Sequence, residues 1–307
     1  MACGKAFRPT LALHVAGNGQ DVHYFCTPEC REAIEGGSRI TKLHAPRVAS
    51  HRAIAMINQK GGTAKTTTAV SVAAGFAQLG HRTLLVDLDP QGNVGVSLGL
   101  QAPRTAYHLL CREARAELCV VPARKNLDVI ISDHSLAAAE IELARLSESE
   151  RIHRLEDVLA PLNDYEYIIF DCAPALSILN QNALFFSREV LIPVSCDYLA
   201  LVGVRQVLRT LRRVSEQTGR DVTVAGVLPT FYDTRNKLCL EALTYLRKTF
   251  GSRALPPVRV NTKLAEAPCV KKTIFEHAPE SHGARDYIRV VQWLRTGEGQ
   301  SNMTRAA

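Results

Sequence analysis

The segment Ile57-Asn58-Gln59-Lys60-Gly61-Gly62-Thr63-Ala64-Lys65-Thr66-Thr67 joins an apolar run to a run of small residues. The apolar run at 53–57 is typical of a buried strand, and the run at 67–78 is typical of a helix. The glycines therefore fall in a strand-to-helix turn, where backbone N–H groups and the helix N-terminus point at a bound anion. The stretch predicts a phosphate-binding loop in an α/β protein.

Two lysines belong to this loop. Lys65 would reach the β- and γ-phosphates of a nucleotide as a point charge, and the Thr66 hydroxyl would bind Mg²⁺. Ordinary phosphate-binding loops have no lysine at the position of Lys60, and we expect Lys60 to reach a phosphate in another subunit. The loop residues predicted to bind the nucleotide are Lys60, Gly61, Gly62, Thr63, Ala64, Lys65, Thr66 and Thr67.

Two further apolar runs end in aspartates. The run from 84 delivers Asp87 and Asp89, and the run from 167 delivers Asp171. Ligands of open α/β sheets lie beyond the carboxyl ends of the strands, where Asp87 and Asp171 would hold Mg²⁺ or its waters. A lone glycine pair is often only a turn, and a lone aspartate is often only a helix cap. Three such motifs in order, each at a strand end, favour nucleotide binding.

These three segments resemble the motifs of the ParA/MinD superfamily of dimerising ATPases. The loop is similar to its deviant Walker A box, the Asp87 segment to its second motif, and the Asp171 segment to its Walker B motif. The resemblance implies that ATP and Mg²⁺ are the cofactors and that Asp89 orients or activates the attacking water. Lys60, Lys65 and Asp89 would be the catalytic residues, acting by positioning and charge neutralisation.

One position departs from the family pattern. The family usually has glycine where Ala64 stands. If this position needs a positive φ, alanine costs about 1–2 kcal/mol there. We therefore expect ATP binding to tolerate the change better than hydrolysis, and hydrolysis to be slow.

The pattern of the whole chain predicts an α/β fold, a doubly wound and mostly parallel sheet of the P-loop NTPase type. Residues 51–296 would form this ATPase domain, after a small cysteine-containing segment and linker at 1–50 and before a polar tail at 297–307. Strands are expected near 53–58, 83–88, 127–132, 166–171, 190–194, 222–228 and 257–260. Helices are expected at 65–79, 136–161 in two pieces, 178–187, 201–217, 236–249 and 284–295.

The N-terminal segment resembles part of a TRASH/MYM-type zinc module, in which four thiolates hold Zn²⁺. Cys3, Cys26 and Cys30 would be ligands, with His14 or His23, or a cysteine upstream of Met1, as the fourth. A segment this short has too little core to fold alone, which favours a metal. The alternative is a disordered tail with three free thiols.

Charge is unevenly placed along the chain. Residues 201–307 contain 18 Lys+Arg and 9 Asp+Glu, whereas the preceding 200 residues contain 19 and 21. The asymmetry predicts either a polyanion-binding face or a solvated basic surface. The segments at 229–235, 261–268 and 281–287 are similar to loops of chromosome-partitioning, Soj-like ParA proteins, and this resemblance implies nonspecific DNA binding by phosphate neutralisation. The implied DNA-binding residues are Arg235 and Lys263, with Arg259, Lys271 and Lys272 as neighbours.

Other sequence features bear on the choice between partitioning and MinD-like proteins and on the cellular location. Gln59 is common in partitioning ParA proteins, whereas MinD-like proteins generally have glycine there. The last helical pattern, with Trp293, is expected to pack on the sheet rather than to lie on a membrane.

No apolar run is long enough for a transmembrane helix, and we see no signal peptide. A cytoplasmic, nucleoid-associated location with reduced cysteines is expected, with Cys172, Cys196, Cys239 and Cys269 in or near the core.

The resemblance thus implies an ATPase that dimerises around ATP, coats DNA, and is released after hydrolysis stimulated by a ParB-like partner. Two alternatives remain from the residues alone. One is a MinD-like positioning ATPase on a membrane. The other is a scaffold or regulator whose loop binds nucleotide with little turnover.

Overall fold

The computed structural model describes residues 14–16, 23–25, 51–175 and 177–296. The chain divides into two compact units, Met1–Ser50 and His51–Ala307. In the first unit, β1 (His14–Ala16) pairs antiparallel with β2 (His23–Phe25). The predicted zinc ligands Cys3, Cys26 and Cys30 lie outside the described residues, as does the tail at 297–307.

The second unit is built on a seven-stranded sheet with the order β5-β6-β4-β7-β3-β8-β9. Its strands are β3 (Arg52–Met56), β4 (Thr83–Leu88), β5 (Val121–Arg124), β6 (Leu127–Ile130), β7 (Tyr167–Cys172), β8 (Glu189–Ser195) and β9 (Thr223–Thr230). All neighbours pair in parallel except β5, which runs antiparallel to β6. Strand β4 is buried at every residue, as expected where helices cover both faces of a parallel sheet.

Helices cover the two faces of the sheet. They are α1 (Lys65–Gln78), α2 (Asn93–Leu98), α3 (Ala106–Leu110), α4 (Ala116–Cys119), α5 (Leu136–Ala144), α6 (Glu148–Leu159), α7 (Ile178–Ser187), α8 (Tyr198–Thr218), α9 (Lys237–Phe250), α10 (Thr262–Cys269), α11 (Ile274–His277) and α12 (His282–Thr296). One buried cluster receives side chains from α5 to α8, and a second receives those of α1, α11 and α12. This is the doubly wound α/β architecture of P-loop NTPases. None of the described helices is both long and apolar enough to span a bilayer.

Helix α12 packs closely on α1. A Cβ at Gly75 of α1 would lie only 2.6 Å from Val291 Cγ2, so glycine permits this approach. The Tyr287 hydroxyl lies 3.0 Å from Thr68 Oγ1, and Trp293 is buried in the same cluster. The expectation that the last helix packs on the sheet is confirmed.

The expected strand at 257–260 is wrong. The segment lies beside β9 but forms only isolated bridges, Val227 with Ala254 and Tyr232 with Arg259. Pro256 and Pro257 stand at its start, and prolines lack the N–H groups that a strand ladder requires. Arg259 instead holds the segment by donating to Asp286 of α12 at 2.7 and 2.9 Å, and Asp286 is buried.

Candidate functional site

The loop between β3 and α1 carries the predicted phosphate-binding residues. Helix α1 begins at Lys65, so the free N–H groups of its first turn face the loop. Gly62 has φ 71°, and Ala64 has φ 64° and ψ 34°. The condition under which alanine is costly at position 64, a positive φ, is therefore met. An anion cradle results, built from backbone amides and closed by an alanine in a conformation that favours glycine.

A side chain at the end of β9, two strands away from β3, supports this cradle. Thr230, the last residue of β9, donates its hydroxyl to the Thr63 carbonyl at 3.2 Å. Thr63 is almost fully buried, whereas Gly61 and Gly62 are exposed. The part of the loop that faces solvent is therefore the part without side chains.

Lys65 points into the protein. It is 7% exposed, and its ammonium donates to the Lys60 carbonyl of the same loop at 3.2 Å. Burial lowers the pKa of Lys65, while the negative charges of Asp171 and Asp89 oppose that shift. The lysine is thus held beside the carboxylates, where a phosphate group would gain most from its charge.

Asp87 and Asp171 stand opposite each other in the parallel ladder of β4 and β7, and both are fully buried. Asp87 accepts hydrogen bonds from the backbone of Asp89 at 3.0 Å and of Val94 at 3.2 Å. Burial, followed by the charge of Asp171, raises the pKa of Asp87. Burial also raises the pKa of Asp171, against the influence of the nearby Thr66 hydroxyl.

The two oxygens of Asp171 fit a cation. Neither has a partner with regular hydrogen-bond geometry among the described residues, although both are inaccessible to solvent. A buried carboxylate without a partner is costly, and carboxylate and hydroxyl oxygens are the ligands that Mg²⁺ prefers. Thr66, Asp87 and Asp171 would therefore hold Mg²⁺ at this edge of the sheet.

Asp89 is fixed by the turn after β4. One of its carboxylate oxygens accepts from the Gln91 amide at 3.0 Å, and its own carbonyl accepts from the Ser132 hydroxyl. Only 8% of the residue is exposed. The side chain is therefore placed by local backbone, near the charge of Lys65 and Asp171.

Lys60 lies at the surface and pairs with a carboxylate there, unlike the buried Lys65. Its ammonium binds both carboxylate oxygens of Asp197, at 3.0 and 2.9 Å, and the two side chains are 37% and 46% exposed. Ser195 donates to the same carboxylate at 2.7 Å. The Lys60 ammonium is therefore at the surface of the chain while the Lys65 ammonium is inside it.

Sequence reasoning missed three supporting residues. Asp197 follows the buried strand β8, so the strand-end rule that found Asp87 and Asp171 would have found it as well.

The other two missed residues are asparagines that fix the backbone. Asn58 donates to the Pro193 carbonyl at 2.7 Å and accepts from the Lys60 amide at 3.0 Å. Asn180 donates to the carbonyl of Ala173 at 2.8 Å, which holds the turn after Asp171. Nothing in their sequence context distinguishes the two asparagines from ordinary turn or helix residues.

Comparisons with known proteins match this arrangement. An AAA domain family model matches residues 51–224. The sporulation initiation inhibitor protein Soj of Bacillus subtilis is 39% identical over 245 residues, covering 78% of this chain and 96% of Soj. The chromosome-partitioning ATPase Soj of Thermus thermophilus is 40% identical over 242 residues, covering 78% and 94%. This chain belongs to the ParA/MinD superfamily, among its Soj-like ATPases.

A solved structure agrees with the nucleotide site of this Soj-like chain. Cobyrinic acid a,c-diamide synthase from Mycobacterium smegmatis, with bound ATP analog and magnesium, is 32% identical with a TM-score of 0.71. The match covers 80% of this chain and 94% of the synthase. That synthase therefore holds an ATP analog and magnesium together on the same fold.

The five basic residues implied by the Soj-like resemblance lie along the loops after β9 and around α10. Arg235 binds Asp233 at 2.9 Å and is 88% exposed, and Lys263 binds Glu266 at 2.7 Å. Lys271 donates to the Val96 carbonyl of α2 at 2.9 Å, and Lys272 is exposed. Arg259 is committed to Asp286. Their role in DNA binding stays a prediction.

The strain at Ala64 generates a first prediction. Ala64→Gly should raise the free energy of unfolding by up to about 1 kcal/mol, because glycine removes the left-handed penalty but costs unfolded-state entropy. Urea unfolding would measure this, and ATP affinity and hydrolysis would be compared on the same variant. We expect hydrolysis to rise more than affinity, since the loop would relax around the phosphates.

A matched control is available in α5. Ala138 is exposed in the interior of that helix, and Ala138→Gly should lower the free energy of unfolding by about 0.5–1 kcal/mol. If Ala64→Gly is as destabilising as Ala138→Gly, and neither ATP affinity nor hydrolysis changes, Ala64 places no strain on the loop.

Proposed function

We propose that this protein is an ATP-dependent dimerising switch of the ParA type, which binds DNA without sequence preference in its ATP state and is released after hydrolysis. The observation that carries the proposal is the separation of the two loop lysines. Lys65 is buried beside Asp171, whereas the Lys60 ammonium is half exposed at the rim. One lysine can thus serve the chain's own nucleotide, and the other can serve a nucleotide held by a second copy.

The roles of the site residues follow from their placement. The backbone of 61–67 and Lys65 would hold the phosphates, and Thr66, Asp87 and Asp171 would hold Mg²⁺. When bound, Mg²⁺ neutralises charge on the phosphate oxygens. Asp89 would orient the attacking water, since its carboxylate is fixed by the turn after β4. Hydrolysis of ATP would be slow without a partner, because Ala64 strains the loop.

The contact between Lys60 and Asp197 bears on the switch. Before Lys60 can reach a nucleotide in another subunit, its ammonium must leave Asp197. Because both side chains are more than a third exposed, this pair stabilises the isolated chain by only about 0–1 kcal/mol. A phosphate group in a closed dimer interface would easily compete with it, so the γ-phosphate would select the dimeric state.

The partners are proposed from the relatives. Several of these are described as chromosome-partitioning proteins, and we assign this chain to DNA segregation or cargo positioning. A ParB-like protein would stimulate hydrolysis, and the ATP dimer would lie on the nucleoid in the cytoplasm. DNA contacts would come from Arg235, Lys263, Lys271 and Lys272, which are exposed, with the half-buried Arg259 as their neighbour.

Substitution of Lys60 tests the dimer. Lys60→Ala should leave ATP affinity within about twofold of the parent but weaken the ATP-dependent dimer at least about tenfold, because a cross-subunit charge contact is lost. Light scattering across a concentration series would measure the dimer. Lys125→Ala, an exposed lysine on the turn between β5 and β6, serves as the control and should dimerise normally. An unchanged ATP-dependent dimer in Lys60→Ala would contradict the role given to this residue.

Binding of random-sequence duplex DNA tests the switch itself. Fluorescence anisotropy would be recorded with ATP and Mg²⁺, with ADP, and without nucleotide, over a series of salt concentrations. We expect binding only with ATP, with log K falling against log salt at about −0.9 per neutralised phosphate. Equal DNA affinity with ATP, with ADP and without nucleotide, or no DNA binding at all, would contradict the proposed function and favour a membrane or scaffold role.

A further inference from the structure

Helix α8 carries a row of arginines that the predicted DNA-binding set does not include. Arg205, Arg209, Arg212 and Arg213 follow the spacing i, i+4, i+7, i+8, which places them within about 100° of one helix face. All four are exposed. The opposite side of the helix is buried through Val204, Val207, Leu211 and Val214. We call the four arginines the α8 arginine face.

Among the described residues, the α8 arginine face lacks carboxylate partners. In the part of the chain that the structure describes, no carboxylate pairs with Arg209, Arg212 or Arg213, and Arg205 donates to the neutral hydroxyl of Tyr245 at 2.8 Å. The one acidic residue of α8 is Glu216. The α8 arginine face is therefore a concentrated and uncompensated positive charge.

The previously predicted residues differ in this respect. Arg235, Lys263 and Arg259 each have a carboxylate partner, at 2.9, 2.7 and 2.7 Å. A charge already paired with a carboxylate must give up that partner before it can neutralise a phosphate and release the cations condensed on the nucleic acid. Since release of counterions drives association with nucleic acid, unpaired arginines contribute more to binding than paired ones.

The neighbouring helix extends the same charge. Arg205 joins α8 to α9 through Tyr245, and α9 ends in the exposed residues Arg247 and Lys248. Neither of these has a carboxylate partner among the described residues. The helix that contacts α8 through Tyr245 thus carries two further exposed basic residues.

The α8 arginine face is also linked to the nucleotide loop. The side chain of Gln59, the residue before Lys60, donates to Thr210 Oγ1 at 2.8 Å. Thr210 lies between Arg209 and Arg212 in the sequence of α8. A rearrangement of the loop around nucleotide therefore reaches the α8 arginine face through one hydrogen bond.

We propose that the α8 arginine face binds the phosphate backbone of duplex DNA. The inference rests on the proposed function and adds a second contact surface to the loops already named. From Arg205 to Arg213 the helix rises about 12 Å, a length over which duplex DNA carries about seven phosphate charges. Arginines on an outward helix face neutralise phosphates without reading bases, so this surface carries no sequence preference.

The test compares two double variants of the full chain that remove the same charge. Arg209→Ala with Arg213→Ala removes two positions of the α8 arginine face. Arg104→Ala with Arg115→Ala removes two exposed arginines from segments that flank α3 and precede α4. Anisotropy with random duplex DNA, ATP and Mg²⁺ would be measured over a salt series, and dimerisation would be followed by light scattering.

We expect the α8 variant to bind DNA roughly 10- to 30-fold more weakly near 0.1 M salt, and its salt slope to shrink by about 1.8. The flanking control should stay within about threefold of the parent, with an unchanged slope. Arg209→Lys with Arg213→Lys should restore binding, because phosphate neutralisation requires the charge rather than the guanidinium shape.

The outcomes that would overturn the inference can be told apart from one another. Equal losses in the α8 and control variants would show a general charge effect and overturn the inference. An α8 variant that no longer dimerises with ATP would make the face a contact between subunits, which also overturns it. An α8 variant that binds like the parent would overturn the inference while leaving the proposed function intact, whereas a parent that binds no DNA would overturn both.

Discussion

Two carboxylates, those of Asp87 and Asp171, are buried opposite each other at the carboxyl end of adjacent parallel strands. Burial raises the pKa of both carboxyls; the charge of Asp171 raises the pKa of Asp87 further, and the charge of Asp89 raises that of Asp171. Asp87 is stabilised by two backbone amides, but Asp171 has no such partner among the described residues. A divalent cation offsets the cost of burying these charges, which makes the pair a constraint on function as well as on folding.

The rest of the site is arranged around that constraint. The loop at 57–64 places a buried lysine beside the carboxylates, and the turn after β4 fixes Asp89 close by. Lys60 is excluded from this interior and lies on Asp197 at the rim, held by a pair too exposed to be strong. Under the proposed function, the division between a charged interior and a releasable surface lysine would allow one small loop to serve both nucleotide binding and association between subunits.

The sequence predicted the parts of this structure that depend on local chemistry. Glycines after a strand located the loop, and aspartates after apolar runs located the carboxylates. It did not predict features that depend on distant partners. Pro256 and Pro257 lack the N–H groups of a strand ladder, so the segment after them forms only isolated bridges. Strand β5 contains Pro122 and was not expected from the sequence, but it pairs with β6. The pairing of Arg259 with Asp286 likewise depends on the fold, whereas Arg235 and Lys263 pair with carboxylates close by in the sequence. The exposure of the α8 arginine face was not evident from the sequence, because it depends on which side of α8 is buried against the protein.

The most direct test of this account is the dependence of ATP affinity on Mg²⁺, measured by calorimetry in the parent and in Asp171→Asn. If the buried carboxylates are built to hold a cation, Mg²⁺ should raise ATP affinity of the parent at least about tenfold over the metal-chelated condition. The gain should largely disappear in Asp171→Asn, which removes one charged ligand but keeps the side-chain shape. Equal ATP affinity with and without Mg²⁺ in the parent would contradict the account.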